Sequence, residues 1–226
     1  MDIIENNLST LKEHFVTYID ILGFTNMVEN DFLKNPKNPS YITKLYTIHQ
    51  FTKSMIDQES EDIDFIQFSD SVVITMKFDR LKFTYFIKLI SKFQYDLLRE
   101  GILCRGGIAY GKHFFENNFM YSHGLIEAYK VETEVAINPK IVISPDLFEL
   151  LYPSREIESG FPILRDEDGT IFVDYLANYQ INDKNIITSI VNGNESTDPK
   201  IISKYRWLSR YTNFKGITQN KMDFFY

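Results

Sequence analysis

Two aspartates, each within an apolar segment rich in β-forming residues, constrain what this chain can fold into. Asp20 lies in Tyr18–Phe24, which reads Tyr-Ile-Asp-Ile-Leu-Gly-Phe, and Asp70 lies in Phe65–Ile74, which reads Phe-Ile-Gln-Phe-Ser-Asp-Ser-Val-Val-Ile. Burying an unpaired carboxylate among Ile, Val and Phe costs much free energy. Two carboxylates at the ends of strands are hard oxygen ligands that suit Mg²⁺ or Mn²⁺. The pattern therefore predicts a divalent-metal site made by Asp20 and Asp70.

Length and charge narrow the class of protein. The 226 residues suffice for one large domain, or for one domain with an appendage, and the hydrophobic fraction of 44% is typical of a globular protein. The net charge is −7, whereas a surface that binds a nucleic-acid polymer is normally basic. We expect no nucleic-acid polymer as a partner, although a metal ion and a few basic residues could still hold a small anionic ligand.

Cysteine content and hydropathy predict the compartment. The one cysteine, Cys104, excludes an internal disulfide framework and favours a reducing, cytoplasmic location. No apolar run approaches the roughly 18–20 residues that span a bilayer, and the acidic N-terminus lacks a secretory apolar region. We expect a cytoplasmic protein with no membrane partner.

Hydrophobic periodicity predicts an α+β fold of the ferredoxin-like kind, with a central antiparallel hairpin and helices on one face. The hairpin comprises 62–69 and 71–78, around Asp70. Further strands are predicted at 14–24, 102–110, 112–121 and 140–144, and helices at 40–58, 79–101 and 123–135. Beyond them, the pattern predicts a short helix at 145–152, strands at 161–165 and 170–175, and a helix at 199–211.

Several motifs permit both a functional and a structural interpretation. A strand-to-helix turn with a glycine, as in Ile21–Phe24, can bind phosphate beside a metal, or it can be an ordinary connection. Asp70 alone would be a common turn residue. Arg105, which opens the glycine-rich strand Arg-Gly-Gly-Ile-Ala-Tyr-Gly, could contact phosphate or form a structural ion pair, and Lys130 could contact phosphate or be solvated beside a glutamate. The four histidines lack the spacing of metal ligands.

Four motifs in order resemble the catalytic domain of class III nucleotide cyclases. They are 18–24, 68–74 (Phe-Ser-Asp-Ser-Val-Val-Ile), 105–111 and 124–132 (Gly-Leu-Ile-Glu-Ala-Tyr-Lys-Val-Glu), and the resemblance covers roughly residues 14–144. These motifs are most similar to those of the pyrimidine cyclases of the bacterial Pycsar anti-phage systems. A C-terminal segment, Tyr-Arg-Trp-Leu-Ser-Arg-Tyr at 205–211, is also similar to theirs.

This resemblance implies a fold, an activity and a set of site residues. The fold would be a βααββαβ catalytic domain at 1–145 with a C-terminal α/β extension at 146–226 packed on the same domain. Two divalent cations, Mn²⁺ or Mg²⁺, would be held by Asp20, Asp70 and the Ile21 carbonyl, and Leu22, Gly23 and Phe24 would hold phosphates. A homodimer with composite sites would convert UTP into 3′,5′-cyclic UMP and pyrophosphate, a second messenger in anti-phage defence.

The chain departs from purine cyclases at three positions. Lys130 stands where their transition-state Arg is expected, and Ile126 stands where their Asn is expected. Lys can supply charge but no bidentate fork, so either Lys130 is the catalytic cation, or another residue such as Arg105 is, or the activity is weak. Ile66 stands where a base-reading Lys or Glu is expected, which disfavours both purines.

Three alternatives to a uridylate cyclase stay open. CTP could be the substrate, with cyclic CMP as the product. The chain could be a degenerate cyclase that binds a nucleotide without converting it. A polymerase-palm or diguanylate-cyclase domain also carries aspartates in a hairpin, but the sequence has no Gly-Gly-Asp-Glu-Phe-like segment.

Overall fold

One mixed sheet organises the part of the chain that the structure describes, in which eight strands are found. The computed structural model describes residues 11–59, 62–154, 156–157 and 160–219. The strands are β1 (Lys12–Ile21), β2 (Ile63–Phe68), β3 (Ser71–Lys77), β4 (Cys104–Glu116), β5 (Phe119–Ser122), β6 (Ile141–Ile143), β7 (Ile163–Arg165) and β8 (Ile171–Val173).

Helices flank this sheet. They are α1 (Phe24–Glu29), α2 (Tyr41–Glu59), α3 (Phe83–Arg99), α4 (His123–Glu134), α5 (Pro145–Leu151), α6 (Lys184–Asn192) and α7 (Pro199–Phe214), with a π-helical turn at Asn30–Lys34 and 3₁₀ segments at Arg80–Lys82, Tyr175–Asn178 and Ile181–Asp183. Within the described ranges, no helix is both long enough and apolar enough to cross a membrane.

The strand order confirms the predicted α+β fold. The sheet runs β2-β3-β1-β4-β6-β8-β7, with β5 paired to β4. The pairs β2–β3, β3–β1 and β1–β4 are antiparallel, whereas β4 pairs in parallel with β6. With the helices between them, β1 to β4 form the βααββαβ order of a ferredoxin-like unit. Strand β1 lies at its centre, with hydrogen bonds on both edges.

Helices lie on both faces of the sheet, so the prediction of helices on one face is wrong. Because side chains alternate along a strand, Phe15 and Ile19 of β1 face a large core with α2 and α3. Val16, between them, faces the opposite side and joins a smaller cluster with Ala109 and with Ala128 of α4. The amphipathic pattern of α4 marks a buried face but does not specify which side of the sheet it covers.

The boundary between β4 and β5 also differs from the sequence expectation. The predicted break near residue 111 is wrong, because β4 continues to Glu116 and the turn is formed by Asn117 and Asn118 at φ 50° and 65°. Gly111 does not make a turn. A Cβ at Gly111 would lie 2.9 Å from the Gly124 amide nitrogen, so the glycine allows α4 to approach β4 closely.

The segment after residue 145 extends the sheet and adds two helices. Strand β8 pairs antiparallel with β6, and β7 pairs with β8. Helix α6 was not predicted, although Ile187 and Val191, spaced four residues apart, form its buried face. Helix α7 is attached through Trp207, whose Nε1 donates a hydrogen bond of 2.7 Å to Asp166 and whose ring packs against Phe172.

A buried lysine stabilises this attachment. The Lys140 side chain is fully buried, and its Nζ lies 2.5 Å from Asp166, 2.8 Å from Asp168 and 2.7 Å from the Thr170 hydroxyl. Every polar group of this cluster therefore has a partner, as a buried charge requires. The β7–β8 turn, the start of β6 and Trp207 of α7 meet at this point.

We predict that Gly107→Ala destabilises the fold more than Gly101→Ala. A Cβ at Gly107 would lie 2.1 Å from the Ala128 carbonyl oxygen, so α4 would have to move away from β4. Overpacking of this kind costs about 1–3 kcal/mol or more. Gly101 has open space around it and φ +76°, so alanine there costs only about 1–2 kcal/mol of backbone strain. Urea unfolding of both variants measures the difference, and equal losses of stability would contradict the close approach.

Candidate active site

The sheet brings Asp20 and Asp70 together at one end of adjacent strands. Asp20 of β1 lies opposite Ser71, the first residue of β3, and Asp70 directly precedes that serine. The Ile21 amide donates a hydrogen bond of 2.9 Å to the Asp70 carbonyl oxygen. Asp70 and Ser69 form the β2–β3 turn, with Ser69 at φ 57°. Both carboxylates are half-buried at the rim of the sheet.

Tyr18, two residues before Asp20 in β1, has a pKa that the charges of the site affect. The Tyr18 hydroxyl lies 2.8 Å from the Ser71 hydroxyl. Burial raises the pKa of Tyr18, the bond to Ser71 opposes this shift, and the negative charges of Glu132, Asp20 and Asp70 add to it. The three carboxylates therefore act on one small region of the α4 face.

Arg105 connects Asp20 to a buried glutamate of α4. Its Nε donates a hydrogen bond of 3.3 Å to the Asp20 Oδ2. One of its terminal nitrogens lies 2.7 Å from Glu132 Oε1, in a geometry that makes an ion pair without a hydrogen bond. The Glu132 side chain is only 2% exposed, whereas that of Arg105 is 27% exposed. Burial raises the pKa of Glu132, Arg105 opposes the shift, and Asp20 adds to it.

The turn after Asp20 has a limited number of free amides. Three residues of this turn are predicted to contact phosphate. The Leu22 amide already donates a hydrogen bond of 2.9 Å to the Leu103 carbonyl, so of the three amides only those of Gly23 and Phe24 can bind a ligand. Gly23 adopts φ 77° and ends the turn as the N-cap of α1. This left-handed conformation favours glycine.

Two predicted residues of α4 lie apart from the aspartates. The Lys130 Nζ lies 2.7 Å from Glu127 on the same helix, and this contact raises the pKa of Lys130. Lys130 and Ile126 are both exposed. Among the described residues, Lys130 has no contact with Asp20, Asp70 or Arg105. Within a single chain, Arg105 is thus the predicted cation that contacts Asp20.

The predicted base-reading position lies on the same hairpin as Asp70. Ile66 is half-buried in β2 and pairs with Val73 of β3. Val73 belongs to the small cluster beneath α4. Ile66 therefore offers the α4 side of the sheet an aliphatic surface without hydrogen-bonding groups.

The donor set suits a hard divalent cation. Asp20 and Asp70 supply carboxylate oxygens next to backbone carbonyls, which is the chemistry that Mg²⁺ and Mn²⁺ prefer. Asp70 has no side-chain hydrogen bond or ion pair within the described residues, so its carboxylate is free to bind a cation. A cluster of three or more His, Cys, Asp or Glu arranged for a metal is absent from the described residues. A cation here would therefore need further oxygen ligands from its substrate or from water.

Two residues of this site were missed from the sequence. In the sequence Glu132 is the last residue of the motif at 124–132, and its position on the buried face of the helix is the signal that could have identified it. Lys204 of α7 lies near the site in space: burial lowers the pKa of Lys204, and the charge of Arg105 lowers it further, whereas Asp198 and Asp20 oppose the shift. Its sequence surroundings carry no such signal, because α7 begins 179 residues after Asp20.

Comparison with solved structures finds likenesses in fold, among them a distant one to an adenylyl cyclase. No protein-family model matches the chain, and no curated protein matches it. Among solved structures, a bacterial light-regulated adenylyl cyclase aligns with 79% of this chain at 12% identity and a TM-score of 0.39. The chain covers 56% of the length of that structure. A likeness at this level carries no conclusion about activity.

We predict that Arg105→Met destabilises the protein by about 2 kcal/mol, less than the loss for a fully buried ion pair because Arg105 is partly solvated. The variant leaves the buried Glu132 carboxylate without its counter-ion. The double variant Arg105→Met/Glu132→Gln removes that charge and should recover most of the loss. Urea unfolding at pH 7 measures both, and a double variant no more stable than Arg105→Met would contradict this account.

Proposed function

We propose that this chain is a nucleotide cyclase that converts UTP into 3′,5′-cyclic UMP and pyrophosphate with the help of Mn²⁺ or Mg²⁺. The observation that carries the proposal is that Asp20, near the end of β1, and Asp70, in the β2–β3 turn, lie on adjoining segments, with Arg105 paired to Asp20. In the reaction, the ribose 3′ oxygen loses its proton and bonds to the α-phosphorus, while the bond from that phosphorus to the bridging oxygen breaks.

Each residue would have a distinct role. Asp20, Asp70 and the Ile21 carbonyl would hold two cations, which when bound neutralise phosphate charge and lower the pKa of the attacking hydroxyl. The amides of Gly23 and Phe24 would contact phosphate oxygens. Arg105, fixed by Glu132, would balance the charge on Asp20.

We propose further that the active form is a homodimer with composite sites. Lys130 is exposed on α4 and lies apart from the aspartates of its own chain. It would stabilise the transition state in the partner's site, after exchanging its ion pair with Glu127 for a phosphate oxygen. Residues 1–145 would form the catalytic domain, and 146–226 would be an extension packed on it. The cyclic nucleotide would serve as a second messenger in anti-phage defence.

The base preference rests on Ile66. An aliphatic side chain gives no hydrogen bond to a purine edge at this position, which disfavours both purines but does not choose between uracil and cytosine. UTP is the preferred substrate in this proposal, and CTP, giving cyclic CMP, is the alternative. The test is to incubate the purified protein separately with ATP, GTP, CTP and UTP, with Mn²⁺ or Mg²⁺, and to identify the products by mass spectrometry. A cyclic purine would overturn the base assignment.

A nucleotide-binding module is the second candidate. It is favoured by one observation: Lys130 is bound to Glu127, and Arg105 is bound to Asp20 and Glu132, so both predicted cations already have partners in the single chain. This function predicts tight binding of a nucleoside triphosphate with no cyclic product from any of the four nucleotides.

We predict that Asp20→Asn and Asp70→Asn each lower turnover by more than about a hundredfold, since even residues that only support metal ligands cost 10–100-fold when replaced. Both side chains lie at the rim of the sheet, so the fold should persist, as circular dichroism can verify. Asp146→Asn, an exposed residue in the first turn of α5, is the matched control and should retain activity. Turnover near the wild-type rate in both variants would refute the metal assignment.

A further inference from the structure

A cavity of about 700 Å³ adjoins the turn that follows Asp20. Leu22 and Gly23 of that turn form part of its wall, and Lys34 of the π-helical turn forms another part. Lys204 and Tyr205 of α7 complete it. The C-terminal extension, to which the sequence assigned no chemistry, therefore contributes directly to a space beside the candidate active site.

The lining of this cavity is cationic. Lys34 and Lys204 line it together with the amides of Asn26 and Asn30, and no Asp or Glu of the described residues is among the lining side chains. The whole chain has 31 acidic and 24 basic residues. With two lysines and no carboxylate, the lining of this cavity has a positive charge, whereas the chain as a whole has a negative charge. The cavity therefore complements an anion.

Lys204 has no counter-ion among the described residues. Its Nζ donates one long hydrogen bond, 3.4 Å, to the Lys200 carbonyl oxygen, and no carboxylate within the described part of the chain forms an ion pair with it. Burial and the charge of Arg105 lower the pKa of Lys204, whereas the charges of Asp198 and Asp20 oppose this shift. Burial disfavours the charged form of Lys204, and an anion in the cavity would stabilise it.

We propose that this cavity binds a polyphosphate chain, which Lys204 and Lys34 contact from different walls. Contacts from separate elements suit a chain of several anionic groups better than a single phosphate. The ligand identity rests on the proposed function: the chain would be the β- and γ-phosphates of the nucleoside triphosphate before reaction, and pyrophosphate after it. The cavity adjoins Gly23, so a nucleotide whose α-phosphate lies at Asp20 and Asp70 could extend into it.

The test measures binding without turnover. Calorimetric titration with inorganic tripolyphosphate, pyrophosphate and phosphate, in buffer containing a chelator, removes the contribution of cations at Asp20 and Asp70. Lys204→Gln removes the proposed contact. Lys200→Gln is the matched control, because Lys200 lies one turn earlier on α7, is exposed and does not line the cavity. Lys34→Gln removes the proposed contact from another wall of the cavity. If Lys204→Gln fails to fold, the effect of Lys34→Gln on tripolyphosphate binding tests the inference.

We expect tripolyphosphate to bind more tightly than phosphate, and Lys204→Gln and Lys34→Gln each to weaken it roughly tenfold, the effect of one charge-assisted contact. Lys200→Gln should stay within about twofold of wild type. Absence of tripolyphosphate binding by the wild type, or an equal loss in Lys200→Gln, would overturn the inference.

Turnover assays separate this inference from the proposed function. Lys204-dependent tripolyphosphate binding by a protein that makes no cyclic nucleotide would support the cavity and refute the cyclase. Conversely, cyclic product from a protein whose KM for the triphosphate is unchanged in both lining variants would support the cyclase and overturn the cavity. Competition of pyrophosphate with UTP, weakened by Lys204→Gln, would identify the nucleotide's own phosphates as the occupant.

Discussion

The position of β1 between β3 and β4 is the constraint on which the candidate site depends. Its register with both neighbours puts Asp20 opposite Ser71 on one side and opposite Arg105 on the other. A slip of one residue would turn Asp20 to the opposite face, toward the core with α2 and α3. The backbone bond from Ile21 to Asp70 then fixes the hairpin turn against the end of β1. The register of the sheet thus brings Arg105 to Asp20 and the β2–β3 turn with Asp70 to the end of β1.

Close packing of α4 supplies the counter-charge. Gly107 and Gly111 of β4 let the helix approach the sheet more closely than any side chain would allow. This approach brings the buried carboxylate of Glu132 to Arg105, which already contacts Asp20. An arginine between two carboxylates holds its position firmly. The glycines of the motif at 105–111 therefore matter for the site chiefly through the distance between helix and strand.

Local patterns in the sequence predicted the strands and most helices, because hydrophobic periodicity records which face of an element is buried. They also predicted that Asp20 and Asp70 would meet. They could not predict that α4 covers the opposite face of the sheet from α3. Which side of a sheet a helix covers depends on the path of the segments that connect it to the strands. For the same reason Lys204 was missed: α7 reaches the turn at Gly23 through its contacts with the extension, among them the hydrogen bond from Trp207 to Asp166, which Lys140 also contacts. Periodicity carries no information about such distant contacts.

Titration with Mn²⁺ followed by electron paramagnetic resonance tests the central claim most directly, because it measures cation binding by the two aspartates themselves. In the presence of a non-cyclisable UTP analogue, the wild-type protein should deplete the free Mn²⁺ signal. Asp20→Asn and Asp70→Asn should each weaken that depletion by roughly ten- to a hundredfold, and Asp146→Asn should leave it unchanged. Equal Mn²⁺ binding by the wild type and both site variants would contradict the account.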